Sequence, residues 1–295
     1  MKIKEVIELG KQVLIRNNID DASLVARELL AHVLGQNKQY LVIHSNDELK
    51  EEYRSKFVDC INQIVSGKPL QYITHKQEFM GLNFFVDENV LIPQPDTEVL
   101  VEETIKKCIL VAELRAEKSP IKILDLCTGS GAIAVSLSKF VPNAKLYASD
   151  ISQKALETAK ITVTEKTEFF KNNESNNTSV KFAESNLFEN IQKNDFDIIV
   201  SNPPYIKRKI IETLPCQVQA EPHIALDGGE DGLDFYKKII DQACKYIKNG
   251  YVLLEIGYDQ RDEVEGLFRA NGRYSEIETV KDLSNNDRCV IARVK

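Results

Sequence analysis

The sequence predicts an α/β protein in two parts: an N-terminal helical bundle and a mostly parallel sheet covered on both faces, joined by a hairpin linker. Three observations predict this. Residues 1 to 66 place apolar side chains at helical spacing and show no strand alternation. From residue 96 onward, apolar runs of strand length alternate with amphipathic segments, the pattern of a parallel sheet with helices on both faces. Between the two, Pro93 and Pro95 break the chain. A length of 295 residues suits two domains. We place them at 1–69 and 96–295, with the linker at 70–95.

In the first part, Val6, Leu9, Val13 and Leu14 define one helix. Asp20 or Asp21 is a candidate N-cap for a second that carries Leu24, Val25, Leu29, Leu30 and Val33 and stops at Gly35. A third is expected from about Asp47 to Val65, ended by Gly67 and Pro69. In the linker, FMGLNFFVDENVL (79–91) reads as two short strands around a turn. In the second part the expected strands are Ile121–Leu126, Leu146–Ser149, Val180–Ala183, Phe196–Ser201, Tyr251–Ile256 and Cys289–Val294. The expected helices include Ala132–Phe140, Gln153–Glu165, Leu233–Ile247 and Gln260–Ala270. The Asn-rich segment Lys171–Ser179 reads as an exposed loop with no assigned role.

Composition narrows the function. Hydrophobic residues make up 43% and charged residues 28%, enough for a real core. The net charge is −7 and the pI about 5.4, which disfavours a protein whose main work is gripping phosphate backbones. No apolar run of membrane-spanning length and no secretory or transit signal is legible, so a cytoplasmic protein is expected. The six cysteines form no CxxC pair, and the four histidines do not cluster with them, so neither a metal site nor a disulfide framework is expected.

The strand ILDL runs into the turn Cys127-Thr128-Gly129-Ser130-Gly131 and then a helix, an arrangement that brings backbone close to a ligand at a helix N-terminus. It is neither GxGxxG nor a P-loop. Asp150 ends the next strand, where an acidic side chain accepts hydrogen bonds from ribose hydroxyls. An aspartate there can also be a simple helix cap. After the third strand, Asn186 could meet an adenine edge and Leu187 supply backbone or apolar contact, although an exposed loop asparagine reads the same way.

Asn202-Pro203-Pro204-Tyr205 follows the strand FDIIVS, on the sheet edge where α/β proteins bind ligands. The tetrapeptide suits methyl transfer to a planar nitrogen. Such a nitrogen is a poor nucleophile, but its two N–H bonds can be aimed at two acceptors, the Asn202 side-chain oxygen and the Pro203 carbonyl, the latter held by the stiff Pro-Pro unit. Both would stabilise the positive charge that develops on the nitrogen. Tyr205 offers an aromatic wall to the amide plane and a face to a sulfonium cation.

Glycine turn, Asp150 and NPPY in this order resemble a class I S-adenosylmethionine-dependent methyltransferase. The wider string resembles the release-factor glutamine methyltransferase family: GKPLQYI (67–73), LIPQPDTEVLVE (91–102), ILDLCTGSGAIA (123–134), VSNPPYI (200–206), EPHIALDGGEDGLDFYKKI (221–239), LLEIGYDQ (253–260) and DLSNNDRCVIAR (282–293). The resemblance implies a Rossmann-like seven-stranded sheet whose last strand is antiparallel, preceded by a helical domain that docks the substrate. It implies methylation of the side-chain N5 of the glutamine in the Gly-Gly-Gln motif of bacterial release factors, by a monomer without metal. By position it implies a cofactor site at Cys127, Thr128, Gly129, Ser130, Gly131, Asp150, Asn186, Leu187 and Asn202, and a glutamine site at Asn202, Pro203, Pro204 and Tyr205. Cys127 replaces the family's first loop glycine, a change tolerated if the backbone needs no positive φ there. Gln94 replaces an arginine, and no role is transferred to it. Two other readings fit the same residues. One is a nucleic-acid amine methyltransferase, since the same tetrapeptide serves an exocyclic amine. The other is a non-catalytic scaffold that binds the cofactor or a translation factor.

Overall fold

The computed structural model describes residues 1–115, 119–164, 180–192 and 195–295. The Asn-rich stretch 171–179 and the end of the helix expected to reach Glu165 lie outside them. The chain divides into two compact units, Met1–Lys76 with Pro215–Ala220, and Gln77–Leu214 with Glu221–Lys295. Among the described residues no helix is long and apolar enough to cross a membrane.

The first unit is helical: α1 (Ile3–Arg16), α2 (Ala22–Leu34), α3 (Lys38–Ile43), α4 (Glu51–Val65) and α5 (Leu70–Thr74). Its core is formed by Ile3, Val6, Leu14, Ala26, Leu29, Leu30, Phe57, Ile61 and Ile64, the apolar faces of α1, α2 and α4. Gly10 lets α1 approach α4, because a Cβ there would stand 2.5 Å from the Phe57 ring. Gly35 ends α2 in the left-handed conformation, φ 63°, as expected. Asp21 stands at the N-cap of α2, but it is itself left-handed and its side chain makes no capping bond. The helix expected from Asp47 starts later, at Glu51. Backbone groups at 47–49 are engaged instead by the start of the chain: Ile3 N–H donates to Asp47 at 3.0 Å and Leu49 N–H to Met1 at 2.9 Å.

The second unit opens with a hairpin, β1 (Gln77–Phe79) and β2 (Leu82–Phe84). It ends earlier than the sequence suggested. Met80 and Gly81 both take positive φ, 51° and 67°, and form the tight turn such a hairpin needs. The residues after β2 are then held by Asp87, which accepts from Asn89 N–H at 3.1 Å and from the Thr158 hydroxyl at 2.9 Å.

The sheet has seven strands, introduced in chain order as β3 (Lys122–Leu126), β4 (Lys145–Asp150), β5 (Val180–Glu184), β6 (Phe196–Ser201), β7 (Ile247–Glu255), β8 (Tyr274–Lys281) and β9 (Asp287–Val294). Their order is β5-β4-β3-β6-β7-β9-β8. Pairs from β5 to β7 are parallel, and β9 is antiparallel to both its neighbours. This is the seven-stranded Rossmann-like arrangement with an antiparallel last strand that the resemblance implied. The strand β8 has no signal in the sequence, since YSEIETVK has no apolar run. It is an edge strand that alternates in exposure.

Among the described residues the α-helices of this unit are α6 (Glu98–Leu114), α7 (Ala132–Phe140), α8 (Gln153–Thr164), the short α9 (Arg208–Ile211), and, after α10 (Cys216–Gln219) of the first unit, α11 (His223–Leu226), α12 (Asp234–Ala243) and α13 (Arg261–Asn271). Helix α12 is shorter than expected because Tyr246 already serves the sheet, its carbonyl accepting Phe196 N–H at 2.8 Å. Strand residues of one parity, Leu124, Leu126, Val252, Leu254, Val290 and Ala292, share a core with Tyr236, Ile239 and Ile240 of α12 and Val264 and Phe268 of α13. Helix α6 packs against β6, β7 and β9. The chain runs outward from β3 through β4 to β5, then returns to β6 on the other side of β3. The carboxyl ends of β3 and β6 therefore meet at a topological switch point, where open α/β sheets form their ligand crevice.

Candidate active site

The cavity at that switch point encloses about 1120 Å³ of empty space, open solvent at its mouth included. Cys127, Thr128, Gly129 and Ser130 line it after β3, Asp150 after β4, Asn186 and Leu187 after β5, and Asn202 and Pro204 after β6. Val90, Pro93, Gln94 and Thr97 close another side. Strand order thus brings together residues that lie far apart in sequence.

The glycine turn is built on Asp125. Its Oδ2 accepts the Thr128 hydroxyl at 2.6 Å and Ala134 N–H at 3.2 Å, while Oδ1 is buried without a hydrogen-bond partner. Burial pushes the Asp125 carboxyl up to about 7, against the pull of those two donors. Gly129 has φ 53°, and a Cβ on it would meet no protein atom within 4 Å, so it would project into the free space of the cavity. Gly131 does not line the cavity. A Cβ there would lie 3.2 Å from the Ala159 Cβ, so this glycine lets the turn sit close to α8. Cys127 has φ 58°, so the backbone does need positive φ where the family has glycine, and the condition for easy tolerance of cysteine is not met. Its half-buried side chain packs on the core cluster, and burial pushes the thiol up.

Asp150 joins two loops. Oδ2 accepts Gly129 N–H and Oδ1 accepts Ser152 N–H, each at 2.9 Å. It is thus both a cap for the start of α8 and a brace for the glycine turn. Each oxygen keeps a second lone pair for a ligand hydroxyl. Burial raises its pKa, with the backbone donors opposing. Leu187 takes φ 49°, and its carbonyl accepts the buried Ser185 hydroxyl at 2.8 Å. Asn186 is exposed and donates to Glu189 at 2.8 Å.

At the end of β6, Asn202 is half-buried. Its Nδ2 donates to the Thr97 hydroxyl at 3.2 Å, and among the described residues nothing donates to its Oδ1 or to the Pro203 carbonyl. Pro203 and Pro204 are buried. Pro203 and Tyr205 do not line the cavity. The half-buried Tyr205 ring packs on the core cluster, and its hydroxyl donates to Glu255 at 3.4 Å. The tetrapeptide backbone is clamped from below. Gln260 donates from Nε2 to the Tyr205 carbonyl at 3.0 Å and to the Gly232 carbonyl at 3.2 Å. Ile206 N–H donates to Leu226 at 3.0 Å, and Gly228 N–H returns to Ile206 at 2.9 Å.

Thr97, Asp125, Glu221, Gly228, Glu255 and Gln260 also hold this site and are not marked by any motif. Glu221 is a buried carboxylate whose Oε2 accepts Ile92 N–H at 2.8 Å, which ties down the proline segment. All but Asp125 sit in strings that matched the family outside the glycine turn and NPPY. The available signal was polar side chains inside or beside apolar strands. Gln94, where the family has arginine, folds onto its own segment, donating to the Ile92 carbonyl at 3.0 Å.

Comparison with known proteins agrees with this construction. The "PrmC N-terminal domain" family model matches residues 5–74, and the "Methyltransferase small domain" model matches residues 107–217. A release factor glutamine methyltransferase of Clostridium acetobutylicum is 39% identical over 298 residues, covering 99% of this chain and 98% of that protein. One of Geobacter sulfurreducens is 34% identical over 294 residues, covering 99% and 96%. A methyltransferase structure from Pyrococcus furiosus superimposes with a TM-score of 0.50 at 19% identity, covering 79% of this chain and 96% of that one, a likeness of fold. With relatives this similar over its whole length, the chain belongs to the release factor glutamine methyltransferase family.

Proposed function

We propose that this protein transfers a methyl group from S-adenosylmethionine to the side-chain N5 of the glutamine in the Gly-Gly-Gln motif of bacterial peptide-chain release factors. The observation that carries the reading is Asn202. Its amide nitrogen is engaged by Thr97, which leaves its oxygen as a free acceptor at the edge of the cavity. The cavity has the features the cofactor requires: a glycine whose missing side chain leaves space, an acid with spare lone pairs, and an apolar floor at Leu187.

S-adenosylmethionine, when bound, supplies an electrophilic methyl group on a sulfonium. The protein's share is to place the acceptor nitrogen. Asn202 Oδ1 and the Pro203 carbonyl take its two N–H bonds and stabilise positive charge on it as it is alkylated. Tyr205, whose ring packs on the core, anchors the end of the tetrapeptide through its hydroxyl on Glu255. The proton lost from nitrogen leaves after alkylation has made it acidic, so no strong base is required beforehand. Thr128, Gly129, Ser130 and Asp150 hold the cofactor, with Asn186 and Leu187 beside its base. Cys127 and Gly131 shape the turn.

In the same reading, residues 1–69 dock the protein substrate, 70–95 link, and 96–295 form the methyltransferase domain. The protein acts as a monomer in the cytoplasm, without metal, on a protein and not a nucleic acid. The test is mass spectrometry of an unmodified bacterial release factor incubated with S-adenosylmethionine and the enzyme. One added methyl on the Gly-Gly-Gln glutamine, absent with Asn202→Ala, is the expected result. Methyl incorporated into tRNA, rRNA or DNA instead would overturn it.

A further inference from the structure

Two loops at the carboxyl edge of the sheet turn large apolar side chains out to solvent. One follows β7 and carries Tyr258, which is 69% exposed. The other joins β8 to β9 and carries Leu283, which at 105% is fully exposed. Both loops lie on the edge where Asn202 stands. Strand β7 is parallel to β6, so residues 256–260 leave β7 at the end where the tetrapeptide leaves β6. Strand β9 is antiparallel to β7, with Cys289 opposite Glu255, so the turn before β9 lies at that same end. A single exposed apolar residue is ordinary on a protein surface. These two differ in how firmly their backbones are held and in what holds them.

The Leu283 turn is fixed through Asp282. Its Oδ1 accepts Ser284 N–H and Asn286 N–H, each at 2.9 Å. Asp282 N–H donates to the Asn286 carbonyl at 2.9 Å, and Asn285 N–H returns to the Asp282 carbonyl at 3.0 Å. Arg288 grips Oδ2 from Nε at 3.1 Å and from Nη2 at 3.0 Å, and the same Nη2 reaches Asp96 at 3.1 Å. Asp96 precedes Thr97, which lines the cavity and accepts from Asn202. The Tyr258 loop is fixed through Gln260, which accepts Gly257 N–H at 2.9 Å and donates to the Tyr205 carbonyl at 3.0 Å. Each loop is thus joined to a wall of the site, yet neither Leu283 nor Tyr258 lines the cavity. They stand outside it, where they meet only the body that carries the side chain inside.

We propose that Leu283 and Tyr258 form a docking surface for the protein substrate: the release factor lays an apolar patch over both while its glutamine reaches Asn202. This rests on reading the site as a release factor glutamine methyltransferase. The chemistry of the surface describes the patch it takes. Covering a leucine and a tyrosine ring calls for apolar side chains on the partner, with an acceptor or water for the tyrosine hydroxyl. The cations bonded to these loops, Lys207, Lys281 and Arg288, are each paired with an aspartate, at 3.7, 3.7 and 3.0 Å. That leaves them little pull on a phosphate backbone and favours a protein as the occupant. Because the Leu283 turn is held by its own hydrogen bonds, docking orders little that was loose before, and the gain from burial is kept.

The experiment measures kcat and KM for an unmodified bacterial release factor, cofactor Kd and melting temperature on the full chain. The variants are Leu283→Ser, Leu283→Met, Tyr258→Ala and, as a control, Ile109→Ser, an exposed apolar position on α6. Sedimentation of wild type and Leu283→Ser reports self-association. Leu283→Ser and Tyr258→Ala should each raise KM ~10–100-fold, the loss of one large apolar contact. At saturating release factor kcat should stay within ~3-fold, as should cofactor Kd, and the melting temperature should hold, because side chains this exposed support nothing in the fold. Leu283→Met keeps the apolar bulk and should hold KM within ~3-fold of wild type. Ile109→Ser should leave KM unchanged. An unchanged KM in Leu283→Ser or in Tyr258→Ala, or a loss confined to kcat, overturns the proposal. So does a wild-type dimer that Leu283→Ser dissociates, which would assign this face to a second copy of the chain. If wild type transfers no methyl to the release factor, the functional reading itself has failed and the docking surface falls with it.

Discussion

Gly228 lies so close to the tetrapeptide that a Cβ on it would stand 2.7 Å from the Tyr205 Cα and 2.9 Å from the Pro204 carbonyl oxygen. Those are backbone atoms and cannot swing aside. The DGG loop is thus the floor on which the NPPY backbone rests, and glycine is required there for space and not for φ. Gly228→Ala should displace the tetrapeptide. We expect kcat to drop ~100-fold or more, as misplacement at a reacting centre costs, and stability to fall by ~1–3 kcal/mol. Gly266, inside α13, is the control: a Cβ there meets nothing within 4 Å, so Gly266→Ala should stabilise by ~0.5–1 kcal/mol and leave the rate alone. Initial rates and thermal melts of the two variants check both statements.

Asp150 is the second prediction. Its carboxylate accepts two backbone N–H groups and still presents lone pairs to the cavity. Asp150→Asn replaces one acceptor oxygen by a donor, which must face either a backbone N–H or a ligand hydroxyl. Charge-assisted hydrogen bonds are worth ~1.5–3 kcal/mol, so the cofactor Kd should rise ~10–100-fold. Calorimetric titration with S-adenosylmethionine measures this; an unchanged Kd would remove Asp150 from the cofactor site.

Much of this site was legible in the sequence because its parts sit at the ends of apolar runs. The strand Phe196–Ser201 has the boundaries its sequence predicts, and so has helix Ala132–Phe140. Both are bounded by abrupt chemistry, the Pro-Pro pair in one case and a glycine at the helix N-cap in the other. Buried polar positions were not legible. Thr97, Gly228, Glu255 and Gln260 act on residues more than 20 places away: Asn202 for Thr97, Tyr205 for Gly228 and for Glu255, and Gly232 for Gln260. No local pattern encodes such a pairing, which exists only once β6 and β7 are side by side. The missed strand β8 failed for a different reason: an edge strand exposes half its residues, so it has alternation and no apolar run.

Cys127 gives the third prediction. At most positions alanine is more stable than glycine, because glycine loses more chain entropy. Cys127 has φ 58°, a conformation that costs a residue with a Cβ ~1–2 kcal/mol. Both Cys127→Gly and Cys127→Ala lose the packed thiol, so their difference isolates the backbone. Cys127→Gly should melt higher than Cys127→Ala, by about 1 kcal/mol in unfolding free energy. The usual order, alanine above glycine, would mean that the turn is relaxed with cysteine in place.

The last prediction concerns pH. Asp125, Glu221 and Glu255 are all pushed up to about 7 by burial. A carboxyl whose folded pKa is raised favours the folded state when protonated. Its contribution is fully present below the unfolded pKa, near 4 to 4.5, and is lost as pH rises through 7. Asp227, Asp231, Glu265 and Asp282 are shifted the other way, each relieved by donors or cations around it. What they contribute is lost only on acidification below the ordinary carboxylate range. His32, lowered by burial and by His75, adds stability as pH rises toward 6.5, in opposition to the three raised carboxyls. Glu221→Gln separates these effects. It keeps an oxygen acceptor for Ile92 N–H and removes one titration. Between about pH 5 and 8 the ligand-free wild type should lose ~2–3 kcal/mol relative to Glu221→Gln. Urea unfolding at three or four pH values measures the gap. A gap that stays constant with pH would mean that Glu221 is already ionised at pH 5.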